Sequence, residues 1–328
     1  MGDPIIVQGT SEVRLIRRTF ENMKKAVKSW GKYVPWPVVQ LLLRSDAEAS
    51  INVHTREVTI YFSDIQSFTT IVESLPPEQS LLLLSRYFYD MSKVIDDFNG
   101  IVLEFIGDAI LAVFGAPVKN SDHATFAVRA TLRMLTKLKE MNRWFVQRKE
   151  KLPEVNIRCG VHTGECLVGN MGFQNRMKYG VVGEETNVPG RLEELNKNYS
   201  TDMLISKATC DALPDDQFYK RPIDIIYLHS DPAEVPQRVY QVMEKNPRDP
   251  GTQLRRQAAQ EHTAAMDLWE SKSFTEAADK FRKAGEIFQE LTGVPDEPAR
   301  LMMQRCRSYI DDPPPATWNG VWDREGKA

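Results

Sequence analysis

The chain has 328 residues, 42% of them hydrophobic and 27% charged, with a formal net charge of −3. That is enough apolar material for one substantial domain and a smaller one, and it excludes wholesale disorder. The charge balance gives no bulk drive toward nucleic acid or an anionic membrane. The four cysteines, Cys159, Cys166, Cys210 and Cys306, lack CxxC spacing, so neither a disulfide framework nor a zinc site is expected. No apolar run approaches the ~20 residues of a membrane-spanning helix and no signal-peptide layout opens the chain, which reads as soluble and cytoplasmic.

After a lead containing Gly2, Pro4 and Gly9, the pattern predicts a helix from Ser11 to about Lys32. Its apolar positions Ile16, Phe20, Met23, Val27 and Trp30 step by four, three, four and three, a coiled-coil seam of about two heptads or a stripe packed on its own domain. Pro35 and Pro37 are expected to end it. A strand over Glu57–Ser63 follows, then a helix over Pro76–Phe98. Ile101–Ile106 and Ala109–Phe114 flank a Gly107-Asp108 break and predict a hairpin. A helix over Ala124–Arg148 comes next, then a second hairpin, Val155–His162 with Cys166–Gly169 across Thr163-Gly164. The order βαββαβ is the α+β ferredoxin-like arrangement.

Beyond Asn246 the composition turns to helix formers. Ala265, Leu268, Phe274, Ala277, Phe281 and Ala284 lie at the spacings of one tetratricopeptide-like helical hairpin, which needs another surface to cover its face. Pro313-Pro314-Pro315 begins an extended tail with Trp318 and Trp322 as docking points.

Asp64 follows the strand EVTIYFS and Asp108 occupies the tip of EFIGDAILAVFG. In a ferredoxin-like sheet that strand and that hairpin are neighbours, so both carboxylates can converge. They would repel unless they shared cations, and Mg²⁺ takes one or two carboxylates together with substrate phosphates.

Four blocks, FSDIQSFT (Phe62–Thr69), EFIGDA (Glu104–Ala109), IRCGVHTGECLVGNMG (Ile157–Gly172) and KYGVVGEETNVPGRLEELN (Lys178–Asn196), resemble in order and spacing the signature blocks of class III adenylyl and guanylyl cyclases. The resemblance covers about Trp30 to Gln241. It implies that Asp64, Asp108 and the carbonyl of Ile65 hold two Mg²⁺ ions, for which Mn²⁺ can substitute. It also implies that Phe68 and Thr69, in a turn opening a helix, hold phosphates with Arg158. Asn187 and Arg191 match the transition-state pair, four residues apart and hence on one helix face. Asn187 orients the ribose and Arg191 neutralises charge on the α-phosphoryl oxygens.

The chain departs from the family pattern in three respects. Pro189 and Gly190 replace the small helix formers usual between Asn187 and Arg191. Base reading falls to Glu104, a carboxylate suited to guanine N1–H and its exocyclic amine, and to Gly180, which has no side chain; the pair leans to GTP over ATP. His229 stands near where the family often places a phosphate-contacting lysine.

The implied enzyme is a head-to-tail homodimer with Asp64, Asp108 and Arg158 from one subunit and Glu104, Gly180, Asn187 and Arg191 from the other. The expected organisation is a signalling helix in 1–34, a catalytic domain in 35–245 and a helical extension in 246–328. SEVRLIRRTFENM looks like the end of a HAMP-type helix, so an upstream sensor module and a place as the cytosolic part of a membrane-anchored receptor are further expectations. No nucleic-acid partner is expected. The alternatives are an adenylate cyclase with a relaxed base pocket and a catalytically silent nucleotide-binding domain. A diguanylate cyclase is excluded because the hairpin reads IGDA in place of its GGDEF turn.

Overall fold

The computed structural model describes residues 11–45, 48–148, 150, 152–229, 234–246 and 248–322; the Gly2–Gly9 lead and the last six residues of the tail lie outside them. The β-branched and aromatic run around Glu57–Ser63 extends in both directions into β1 (Asn52–Ile65). β2 (Gly100–Ile106) and β3 (Ala109–Phe114) form the expected hairpin, with Ile106 opposite Ala109. Gly107 supplies the positive φ of +66° that the turn requires. β3 pairs antiparallel with β1, Ser63 opposite Ile110, which sets the hairpin tip beside the carboxyl end of β1.

The Thr163-Gly164 hairpin is not formed. Residues Ile157–Phe173 are one long strand, β4, and the reversal comes later, before β5 (Arg176–Val182). Gly164 has no positive φ, and the Thr163 hydroxyl is buried against Thr59 and Thr209, so the apparent turn pair belongs to the strand. β6 (Met203–Ile205), β7 (Phe218–Ile226) and β8 (Gln237–Glu244) complete a mixed sheet in the order β2-β3-β1-β4-β6-β8-β7, with β5 paired to β4. The β2-β3-β1-β4 portion is the ferredoxin-like order.

The first seven helices follow in chain order, and it is the fourth to sixth that cover the two faces of the sheet. α1 is Ser11–Trp30, α2 Trp36–Ser45, α3 Phe68–Glu73, α4 Pro77–Asp97, α5 His123–Gln147, α6 Val188–Tyr199 and α7 Lys207–Ala212. Leu83, Tyr87, Met91 and Ile95 of α4 meet Met134, Leu138, Met141 and Phe145 of α5 over Tyr61, Ile157 and Ile205. On the opposite face Val188, Leu192 and Tyr199 of α6 pack with Leu204, Ile223 and Val239. Ile205 and Leu204 fall in different clusters because successive strand side chains point to opposite faces.

The chain falls into two compact units, Met1–Val53 with Gly169–Gly180, and His54–Val168 with Val181–Ala328. In the first, α1 stops at Trp30, short of the prolines, where the Trp36 ring lies so close over Gly31 that a Cβ there would be 2.7 Å away. Pro37 sits in the first turn of α2, a helix the sequence reading lacked. No residue of α1 is buried, and Ile16, Phe20, Met23 and Trp30 are each more than half exposed. In the second, α8 (Thr252–Glu270), α9 (Phe274–Thr292) and an unforeseen third helix, α10 (Glu297–Asp311), share a core of Trp269, Phe274, Phe281, Met302 and Cys306 with Ile225 of β7. Trp318 and Trp322 pack on that core. No helix among the described residues is long and apolar enough to cross a membrane.

Candidate active site

The carboxyl end of β1 and the β2–β3 tip bring Asp64 and Asp108 together. Asp64 lies inside β1 rather than after it. The Ile65 N–H donates to Asp108 Oδ2 at 3.1 Å. Burial, then the hydrogen bond and charge of Asp64, push the Asp108 carboxyl up to about 7. Among the described residues no group of three or more His, Cys, Asp and Glu converges as a closed metal cage. Two carboxylates that leave other positions to water and phosphate fit a divalent cation of the Mg²⁺ kind. Beyond β1, Ser67 takes a left-handed conformation (φ 56°) to start α3, whose first two residues are Phe68 and Thr69.

Arg158 stands in β4, and its Nε donates to Glu193 Oε1 of α6 at 2.8 Å. Burial raises the Glu193 carboxyl despite this partner, and the charge of Asp64 adds to the rise, so the ion pair lies within electrostatic reach of the carboxylate pair.

α6 can approach β4 because residue 160 is glycine: a Cβ there would meet Pro189 O at 1.9 Å. Asn196 Nδ2 donates to Cys159 O at 3.0 Å on the same strand. Asn187 is the N-cap, and the Arg191 N–H donates to its carbonyl at 3.2 Å. The Arg191 guanidinium donates to Leu228 O, just past β7.

Glu104 sits at a bulge between Val102 and Glu104 in the β2–β3 register, a device that re-aims a side chain. The next ring, Phe105, lies 4.3 Å from that of Phe88 in α4, which fixes this strand end. Gly180 lies in β5, in the other unit, with Met171 Sδ 3.5 Å from where its Cβ would be.

His229 is enclosed by carboxylates. Its Nδ1 is 3.0 Å from Glu234 Oε1 and its Nε2 3.4 Å from Glu185 Oε2. Burial would lower the imidazole, but Glu234 and Glu185 outweigh it and hold it above the usual histidine range. Glu185 also bonds His162 Nε2. From His162 Nδ1 a buried row of hydroxyls crosses the sheet: Ser206 (2.8 Å), Thr209 (3.2 Å onward), Thr163 (3.0 Å), Thr59 (2.8 Å) and finally His123 Nδ1 (2.7 Å).

Sequence reasoning missed Glu185, Glu193, Glu234 and His162 as partners. Three of them stand inside the quoted blocks, but spacing along the chain carries no sign of which cation each would meet across the sheet.

A ferredoxin-like sheet with two aspartates at a strand end and hairpin tip, an arginine on β4 and an Asn/Arg pair opening a helix defines a nucleotidyl cyclase catalytic domain. The family model for the adenylate and guanylate cyclase catalytic domain matches residues 52–244, and the chain belongs to that family. It is 35% identical to adenylate cyclase 1 of Rhizobium meliloti (strain 1021) over 198 residues, 60% of this chain and 30% of that protein. It is 30% identical to the terminal-differentiation-specific adenylate cyclase of Dictyostelium discoideum over 290 residues, 85% of this chain and 13% of that protein. The chain thus spans less than a third of the length of either relative. The crystal structure of the guanylyl cyclase Cya2 superposes with a TM-score of 0.53 at 32% identity, covering 61% of this chain and 98% of that one.

Proposed function

We propose that this chain closes a purine nucleoside triphosphate into its 3′,5′-cyclic monophosphate and releases pyrophosphate, with GTP preferred over ATP. The observation that carries the reading is the convergence of Asp64 and Asp108 beside the Ile65 N–H. Asp64, Asp108 and the Ile65 carbonyl would hold two Mg²⁺ or Mn²⁺ ions, which supply Lewis-acid activation of the reacting oxygens when bound. Phe68 and Thr69 would offer backbone N–H groups to the terminal phosphates, with Arg158 and His229 as the cations the reading assigns to them.

Asn187 orients the ribose and Arg191 neutralises charge developing on the α-phosphoryl oxygens as the 3′ oxygen attacks. Along α6, Glu193 is turned to its own Arg158, and Arg191, two residues earlier, lies about 200° around the helix. This supports a site completed by a second copy, head to tail, with Asn187 and Arg191 facing the partner's aspartates.

Glu104 supports guanine, whereas both named relatives are adenylate cyclases, which favours ATP as the second reading. Within this scheme 1–34 is a signalling helix, 35–245 the catalytic domain and 246–328 the helical extension. Incubation with ATP and with GTP, each with Mg²⁺ or Mn²⁺, tests the reading, and a wild type silent with both overturns it. Mixing the folded variants Asp64→Asn and Arg191→Ala under subunit exchange should restore activity at one site per mixed dimer. Failure of that mixture to recover activity overturns the shared site.

A further inference from the structure

The C-terminal extension reaches the helix that carries Asn187 and Arg191. Asp224, on β7 and 2% exposed, holds two partners through one oxygen: the Tyr199 hydroxyl and Arg305 Nη1, the latter at 2.6 Å. Tyr199 is the last residue of α6 and Arg305 lies in α10. Leu301 of α10 also packs on the cluster formed by Val188, Leu192 and Tyr199 with β7. The start of α10 is keyed to the same strand, because Arg221 donates to both oxygens of its N-cap, Asp296, at 2.8 and 2.9 Å.

β7 and the residues just after it hold α6 at both ends. Asp224 fixes Tyr199 at one end; four residues on, Leu228 O receives the guanidinium of Arg191 near the other. Arg191 and Tyr199 are eight residues apart, about 12 Å along a helix. A displacement of α10 therefore moves the segment on which the reach of Arg191 depends. Hydrophobic contact alone would let α10 slide; a shared carboxylate oxygen with two directional donors does not.

We propose that the helical extension is a clamp on α6 and that Arg305 is a positioning residue for Arg191, acting through Asp224 and Tyr199. The proposal rests on the cyclase reading for its kinetic test but not for its structural one.

The test uses the full chain and the variants Tyr199→Phe and Arg305→Gln, each in the wild-type and the Arg191→Lys background. Tyr199→Phe keeps the packing of the ring and removes only the hydroxyl, so it decides the matter if Arg305→Gln fails to fold. A misplacement of Arg191 should lower kcat by about tenfold, with KM changed by less than about twofold. In the Arg191→Lys background the same substitution should cost less than about twofold, since residues acting in series are not additive. Arg305→Lys should restore most of the loss. Hydrogen exchange at the α6 amides 190–195 should accelerate in Tyr199→Phe. Equal kcat losses in both backgrounds, or unchanged exchange along α6, overturn the clamp. A wild type inactive with both nucleotides overturns the cyclase reading instead, and the exchange measurement then decides the clamp alone.

Discussion

Arg158 of β4 and Glu193 of α6 form a largely buried ion pair, Nε to Oε1 at 2.8 Å with side chains 14% and 8% exposed. The cation proposed to meet phosphate is thus held by a carboxylate of its own chain. Arg158→Met should raise KM for the nucleotide more than about tenfold and, by leaving a buried charge alone, destabilise the fold by ~3–5 kcal/mol at neutral pH. Glu193 already has a raised folded pKa, and loss of Arg158 raises it further. Its penalty is absent below the unfolded value of about 4.3 and grows as pH rises toward the folded one. Urea unfolding of both proteins at acidic and neutral pH measures this; a pH-independent difference counts against it.

Gly160→Ala places a methyl 1.9 Å from Pro189 O, a backbone atom with no rotamer to yield. α6 must move away from β4, at a cost of about 1–3 kcal/mol. Turnover should fall with little change in KM, because Asn187 and Arg191 move with the helix. Unaltered kcat in a folded variant would show that their placement does not depend on this approach.

Gly190→Ala should do the opposite. Apart from the adjacent residues and the backbone of its own helix, nothing lies within 4 Å of the added methyl, and the backbone there is not left-handed. Replacing glycine in a helix gains up to ~1 kcal/mol, which thermal unfolding should register as a rise of about 2–4 °C. A lowered melting temperature contradicts this reading of the first turn.

His229 is held above its ordinary pKa by Glu234 and Glu185, with His162 the further titratable group on Glu185. Because the folded value is raised, its stabilisation is complete below about pH 6.5 and is lost as pH rises through the folded value. His229→Asn should therefore cost more at pH 6 than at pH 9, read as the shift in urea midpoint. An equal shift at both pH values excludes the charged imidazole as the cause.

Glu104→Lys should move the kcat/KM ratio toward ATP, since an ammonium donates to adenine N1 and repels guanine N1–H. Adding Gly180→Asp should reinforce the shift by accepting from the adenine amine. A ratio indifferent to Glu104→Lys removes this carboxylate from base reading.

The ferredoxin-like core was legible because its signals are local. Runs such as EVTIYFS and AILAVF carry strand chemistry, and Gly107-Asp108 carries the turn. Thr163-Gly164 misled for a non-local reason: a polar residue beside glycine reads as a break, and only Thr59 and Thr209, brought in from β1 and α7, turn it into buried strand. Motifs name Glu104, Asp108 and Arg191 as candidates, yet the carboxylates that hold Arg158 and His229 carry no motif of their own. An ion pair such as Arg158–Glu193, 35 positions apart, leaves no periodic trace in a single chain.

The hydroxyl row between His123 and His162 has a branch point. Each hydroxyl has one proton to donate, and that of Thr209 has three acceptors within reach: Ser206, Thr163 and the Val161 carbonyl. Burial lowers the pKa of both rings, against the pull of Glu57 on His123 and of Glu185 on His162. With a His162 Nε2 proton on Glu185, Nδ1 accepts from Ser206, whose own proton is then spent. At the far end His123 meets Thr59 through Nδ1 and the exposed Glu57 through Nε2. The tautomers of the two rings are therefore linked only when the Thr209 hydroxyl turns along the row and not to the strand carbonyl beside it.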